Sequence, residues 1–411
     1  MATNSVFPAA VDSELAEDAP ASVEAKLALL KASNQKLQSK NLELRLRLQQ
    51  RKSRWGFERQ LLAIGGLGLL FVGLVVGLFL GLVVGSVRPL AAGAAVWTPD
   101  HVVIVIEENL SARNLVPKLT YLTSLQQQGA NFTDSHGVDH PSQPNYLALF
   151  SGDPQGTGSD SKRNPDGSNP IVKGHTQVGT NDPPPNTPLD APNLGAALIR
   201  AGRSFAGYSE DLPSRGFTGV SRIGPPGSGI DYQRKHNPWV NWQAAKDDAI
   251  GRNELPSSVN LPFTEFPTDD TGFAKLETVA FVIPNQIHDG HKSDAAPPEI
   301  DYGKTMDDWL RQHIEPYCRW ALSHNSLLII TWDEDEDEYT PVKDDTGATV
   351  AKRYINLIPT IMVGAGVVPG NYSERIDHYA ALRTVEDFYS LAPLARLDAV
   401  AKPIADAFRK P

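Results

Sequence analysis

The sequence predicts an α/β fold: a mostly parallel sheet flanked by helices, preceded by a coiled-coil helix and one transmembrane helix. Three observations carry that expectation. Continuous apolar, β-branched runs recur as HVVIVI (101–106), TVAFVI (278–283), LLIITW (327–332) and TIMV (360–363). Runs of this kind belong to strands buried on both faces. Helical stretches alternate with them at roughly 114–128, 192–202, 305–323 and 380–391, an alternation that implies a parallel sheet. Finally, residues 60–87 carry no charge between Arg59 and Arg88, and about 20 apolar residues suffice for a helix to cross a bilayer.

The elements before the sheet follow in order. Residues 1–21 are rich in Ala, Pro and acids, a composition that does not build a core. Residues 22–58 form a coil segment, with Leu27, Asn34, Asn41 and Leu48 at the a positions and Val23, Leu30, Leu37 and Leu44 at d. Asn at a favours a parallel dimer in one register at a cost in stability. Basic flanking residues such as Lys26, Lys31, Lys40, Arg45 and Arg47 oppose that pairing, and a solvated basic helix lying on anionic lipid is the competing reading. In the span, Gly73, Gly77, Gly81 and Gly85 share one helix face, where backbones can approach. Coil and span together predict a homodimer.

A secretory signal is the rival reading of the span, but its apolar core would be about 7–15 residues behind a short basic start. Here nearly sixty residues precede the apolar run. Arg51, Lys52, Arg54 and Arg59 lie before the span and Arg88 after it, which places the N-terminus in the cytoplasm and residues 97–411 outside.

Charge supports the division. The 411 residues have a formal net charge of −10, yet residues 1–60 hold ten Lys/Arg against seven Asp/Glu. The outer domain is therefore acidic, which argues against a nucleic-acid partner. A single cysteine, Cys318, excludes an intrachain disulfide and a Cys-based zinc cluster; its Trp/Leu-rich surroundings make it a core residue.

Chemistry gathers where the apolar runs end. In open parallel sheets ligands bind beyond the carboxyl ends of the strands. After the first run come Glu107, Glu108 and Asn109. After the second come Asn285, His288, Asp289 and His291, and after the third Asp333, Glu334 and further acids to Glu338. TIMV leads to a Gly-rich turn, then Asp377 and His378. Four strand ends are thus expected at one edge, with oxygen-rich ligands and a few imidazoles suited to a divalent cation. The segment DHPSQPNYLALFSGD (139–153) adds Ser142 at a helix start, where helix N–H groups and a metal can polarise it. A Ser–His–Asp triad is a rival, but no G-x-S-x-G elbow is present. His136 and His140 flank the serine loop with either role open. His101, His175, His236, His313 and His324 are read as structural. Asn131 and Asn371 lie in N-x-Ser/Thr sequons. Residues 153–190 and 210–272, rich in Pro, Gly, Asn and Asp, are read as long loops.

The blocks HVVIVIEENLSARNL, HPSQPNYLALFSGD, VIPNQIHDGH, LLIITWDEDE and DHYAALRTVEDFYSL, in this order over about residues 100–392, resemble the phosphoesterase family of acid phosphatases and phospholipase-C-type enzymes, within the alkaline-phosphatase-like superfamily. The resemblance implies a metal-dependent phosphoric ester hydrolase. It makes Glu108, Asn109, Ser142, Asp333 and Glu334 metal ligands and Ser142 also the nucleophile. It makes His288 and His291 catalytic, and assigns His140, Asn145, Asp289 and His378 to the phosphate or to support of the site, with Glu107 outside the ligand set. Asn145 or Asn109 is the amide expected to hold a phosphoryl oxygen. The chain reads DEDEDEYTP (333–341) where phospholipase-type members carry Gly-Gly-Phe-Tyr-Asp-His, so the acid-phosphatase branch is the closer likeness. The implied partner is a phosphorylated small molecule, and the implied cofactor a divalent metal of unspecified identity. Two alternatives stand beside it: a phosphodiesterase or phospholipase C acting on lipid head groups, and an inactive membrane-anchored dimeric scaffold.

Overall fold

The computed structural model describes residues 97–409, apart from 115–118, 156, 158–187, 220, 224–230, 292–299, 337–338 and 344–348. The disordered N-terminus, coil and span expected over 1–21, 22–58 and 60–87 lie outside the described residues, as does His175. Among the described residues no helix is long and apolar enough to cross a membrane.

Eight strands form the main sheet: β1 (His101–Glu107), β2 (Ala130–Phe132), β3 (Phe205–Ser209), β4 (Asn260–Pro262), β5 (Val279–Ile283), β6 (Ser326–Trp332), β7 (Thr360–Gly364) and β8 (Gly370–Tyr372). Their spatial order is β8-β2-β7-β6-β1-β5-β3-β4. The block from β6 through β1, β5 and β3 to β4 is parallel, and β8 is parallel to β2. β7 alone in this sheet runs against its neighbours, β6 and β2. The sheet is therefore mixed, and one expectation needs correction. The carboxyl end of β7 lies at the far edge, Gly364 opposite Leu327, while Thr360 pairs with Thr331 at the active edge. The reversal follows from a hairpin, Tyr339–Lys343 with Thr349–Tyr354, which returns the chain before β7 begins. His378 reaches the active edge by another route: Ile376–Asp377 pairs with Ser135–His136.

β1 shows why the sheet is central. Val102, Ile104 and Ile106 pack on one face against Leu147, Phe150, Leu382 and Val385. Val103 and Val105 pack on the other against Leu122, Leu125, Met306 and Tyr317. This period of two, apolar on both faces, is what a strand sandwiched between helix layers requires. The first layer holds α2 (Gln143–Ser151) and α6 (His378–Phe388), and the second holds α1 (Thr120–Gln128), α4 (Tyr302–Trp309) and α5 (Glu315–Ala321). A further helix, α3 (Leu194–Arg200), adds Leu194 and Leu198 to the first.

Helix ends differ from the sequence expectation for local reasons. α1 starts at Thr120, where the Asp307 carboxylate of α4 accepts from Tyr121 N–H and Leu122 N–H at 3.0 and 2.8 Å and so caps it. The single helix expected over 305–323 is α4 and α5 joined by a π-turn, Leu310–Ile314. Pro316 in the first turn of α5 lacks the N–H that would continue an α-helical ladder. The sequon residues Asn131 and Asn371 meet on β2 and β8, with 2.8 Å between Asn131 Nδ2 and Asn371 Oδ1.

Candidate active site

Ser142 occupies the N-cap of α2 in a helical conformation, φ −39° and ψ −53°, and its side chain caps nothing. An N-cap serine ordinarily turns its oxygen back onto the helix. Here the hydroxyl faces outward, with Glu108 Oε1 at 2.6 Å and Glu334 Oε1 at 3.1 Å. Glu108 and Glu334 follow the neighbouring parallel strands β1 and β6, so strand register brings both carboxylates to one serine.

Glu108 is the hub. Its Oε2 lies 2.9 Å from His291 Nδ1, and its Oε1 lies 2.9 Å from His236 Nε2 and 3.6 Å from Lys235 Nζ. Burial pushes this carboxyl up, but the two imidazoles and the ammonium outweigh it and hold Glu108 well below the usual carboxylate range. His291 moves up in turn: burial disfavours its charge, and the bond to Glu108 prevails.

The other acids behave oppositely. Burial, then the charges of Glu334 and Glu108, push Asp333 well up; burial and then Glu108 do the same to Asp289. Glu107, fully buried, is raised by burial and then by Glu210. Asp333 Oδ1 accepts from Asn109 N–H and Glu334 N–H at 3.1 and 2.6 Å. Among the described residues, Asp333 Oδ2, Asn109 Oδ1, Asp289 Oδ2 and both Glu107 oxygens are buried without a hydrogen-bond partner. Ligand atoms of Glu108, His236 and Asp289 lie within 4.8 Å of one another. Buried acceptors without donors, several of them carboxylates, fit a divalent cation.

The structure thus brings Glu108, Asn109, Ser142, Asp289, His291, Asp333 and Glu334 together. His140 joins them, its Nδ1 2.5 Å from Glu334 Oε2. His378, at the start of α6, stands behind the acids, its Nε2 2.7 Å from the Asp333 carbonyl. Two residues are placed otherwise. His288 turns to Glu210, 2.9 Å from Nδ1, and lies over Trp309, so its ring is engaged away from Ser142. Asn145 uses its amide on the serine loop: Oδ1 accepts from Val138 N–H and Asp139 N–H, and Nδ2 donates to the Asp139 carbonyl. These bonds shape that loop and use Oδ1 and one of the two amide hydrogens. His136 bonds Asp134 and the Ile355 carbonyl, a structural role.

His236, read as structural from the sequence, is a correction in the other direction. With Lys235 it rides a 3-10 turn, Arg234–His236, followed by another, Pro238–Trp242. The second is pinned by Trp239, which donates to Asn260 Oδ1 at 2.9 Å, and by Trp242, which donates to the Ala191 carbonyl at 2.7 Å. Trp239 lies flat on Gly207 of β3, where a Cβ would come within 2.1 Å of the indole. The sequence signal was two tryptophans inside a polar loop: an anchored segment, with Lys235 and His236 just before the anchor.

Comparison with known proteins decides the family. The model of the phosphoesterase family matches residues 116–392. The chain belongs to that family. This phosphoesterase is 35% identical over 317 residues to a phosphatidylinositol-3-phosphatase of Mycobacterium tuberculosis, a match covering 77% of this chain and 85% of that protein. It is 28% identical over 280 residues to an acid phosphatase of Aspergillus fumigatus, covering 67% of this chain and 51% of that one; the phosphoesterase spans about half the fungal protein's length. Among solved structures, a protein in the alkaline phosphatase superfamily from Vibrio parahaemolyticus is similar at TM-score 0.45 and 13% identity, over 75% of this chain and 71% of that one. The phosphoesterase is a phosphoric ester hydrolase.

Proposed function

We propose that this phosphoesterase hydrolyses phosphate monoesters through a phosphoserine on Ser142. The observation that carries the reading is the Ser142 hydroxyl, turned off its helix and donated to Glu108 at 2.6 Å. Both relatives above are named as phosphatases, which supports a monoester over a diester.

Glu108, Asn109, Ser142, Asp333 and Glu334 would hold a divalent cation, with His236 and Asp289 beside them. Such an ion supplies positive charge that lowers the hydroxyl pKa and offsets the charge of the phosphate. The chain's own groups do the rest. The Ser142 hydroxyl is oriented by its bond to ionised Glu108, whose other oxygen touches His291 Nδ1, and the serine proton is lost to water as Oγ attacks. Oγ bonds to phosphorus as the ester P–O bond breaks, and His291, kept protonated by Glu108, gives the leaving oxygen a proton. His291 is 29% exposed in its side chain, so it opens toward the entering water. In the second half it takes a proton from that water, the hydroxide attacks phosphorus as the Ser142 Oγ–P bond breaks, and Oγ regains its proton from water. Lys235, 3.6 Å from Glu108, supplies positive charge against an otherwise anionic wall, whereas burial pushes the His236 imidazole toward its neutral form.

The sequence supports a single span over 60–87, an N-terminus in the cytoplasm and a hydrolase domain outside, with the coil and glycine face pairing two chains. The test is turnover of p-nitrophenyl phosphate and of its bis-ester by the full chain in detergent. Monoester cleavage should dominate, and Ser142→Ala should abolish it; unchanged turnover in that variant refutes the nucleophile assignment.

A further inference from the structure

Tyr146 stands one turn beyond both Ser142 and Gln143, four and three residues on, so its side chain neighbours each of them. Ser142 spends its hydroxyl on carboxylates. The other two spend nothing. Both amide atoms of Gln143 and the hydroxyl of Tyr146 have no hydrogen-bond partner among the described residues, although each side chain is only 1% exposed. Polar groups left so cost stability, and such a cost is tolerated where function needs the group.

Tyr146 is well located. Its ring stacks on His236, 5.0 Å between centroids. Burial and then the charges of Asp333, Glu108, Asp289 and Glu107 push its pKa well above the usual range, so it stays a proton donor among acids. Asp333 Oδ2 and Asp289 Oδ2 also lack a donor, yet neither takes the tyrosine proton. Unused acceptors beside unused donors call for two occupants, a cation for the first and an anion for the second.

We propose that Gln143 Nε2 and Tyr146 Oη are substrate-contacting donors that bind the non-bridging oxygens of the phosphoryl group at Ser142. The inference rests on the phosphoserine reading and adds donors to the amide of Asn145, whose Oδ1 and one hydrogen are used within its own loop. Uncharged donors fixed on the nucleophile's helix need little reorganisation as charge develops on those oxygens.

The probe is inorganic phosphate, measured on the full chain both as a competitive inhibitor and by equilibrium dialysis against the Ser142→Ala protein. Tyr146→Phe keeps the ring and its stack; Gln143→Met keeps the length without the donor. Each should weaken phosphate binding about tenfold or more, as loss of a hydrogen bond to a charged group does, and Tm should hold or rise because a buried unpaired group is gone. Phosphate affinity within about twofold of the parent, or a loss accompanied by a lower Tm, assigns the pair a packing role and overturns the proposal. Failure of the nucleophile reading is separately visible as turnover surviving in Ser142→Ala.

Discussion

His236 Nε2 lies 2.9 Å from Glu108 Oε1, whereas His288 Nδ1 lies 2.9 Å from Glu210. The two histidines therefore serve different ends of the molecule's polar network. His236→Ala removes a partner of the hub carboxylate and the ring under Tyr146, and should lower kcat/KM on an aryl phosphate by about a hundredfold or more. His288→Ala, which loosens Glu210 and Trp309, should change it by less than about tenfold. Steady-state kinetics on both variants decide; the reverse ranking would return His288 to the catalytic set.

Glu108 sets the charge of His291. Burial alone would lower the imidazole's pKa, and Glu108 raises it. In the proposed mechanism His291 gives the leaving oxygen its proton and so must be protonated, which predicts that activity falls as pH rises through its pKa. Glu108→Gln should shift that basic limb of the kcat/KM profile to lower pH, besides reducing the maximum. A limb that stays in place in the variant would show that another group donates the proton.

The acids that gain protons predict how a cation acts on stability. Asp333 and Asp289 are raised above their ordinary values by burial and by neighbouring carboxylates. A raised carboxyl contributes stability that is fully present below its unfolded pKa and is lost as pH rises through the folded one. The chelated protein should therefore lose Tm from acid toward neutral pH, and a bound divalent cation should restore it increasingly along that range. Melting curves with EDTA and with added metal at several pH values test this. A cation effect equal at all pH values would separate metal binding from these carboxylates.

What was legible in the sequence follows from how each residue is held. β1, β5 and β6 could be read because burial on both faces leaves uninterrupted apolar runs, and Glu108, Asp333 and Glu334 because strand ends in a parallel block must meet at one edge. Ser142 was legible from its place before an apolar helix. The direction of β7 was not, since a hairpin inserted between Glu334 and Thr360 reverses the chain without altering the apolar signature. His236 escaped because its segment has neither strand nor helix period; packing of Trp239 on Gly207 fixes it. The placement of His288 was hidden for the opposite reason. It shares a turn with His291, yet the turn points one ring at Glu108 and the other at Glu210.

Away from the site, Glu386 of α6 supplies a pH dependence of its own. The residue is fully buried, Arg383 Nη1 donates to it at 3.2 Å, and Leu394 N–H donates at 3.2 Å. Asp398, also buried, accepts from Leu394 N–H and Ala395 N–H at 2.6 and 2.9 Å. Burial first, then the hydrogen bond and charge of Asp398, push the Glu386 carboxyl from 4.5 up to about 9, with Arg383 opposing. The folded chain keeps a proton there that the unfolded chain releases above 4.5, so this contribution to stability is full in acid and is lost as pH rises through about 9. Glu386→Gln cannot ionise and still offers Asp398 a donor. Its Tm should fall less than the parent's between pH 5 and 9, read as the difference between two melting series with EDTA present in both. Parallel series would mean that Glu386 is ionised throughout and that the Glu386–Asp398 contact does not share a proton.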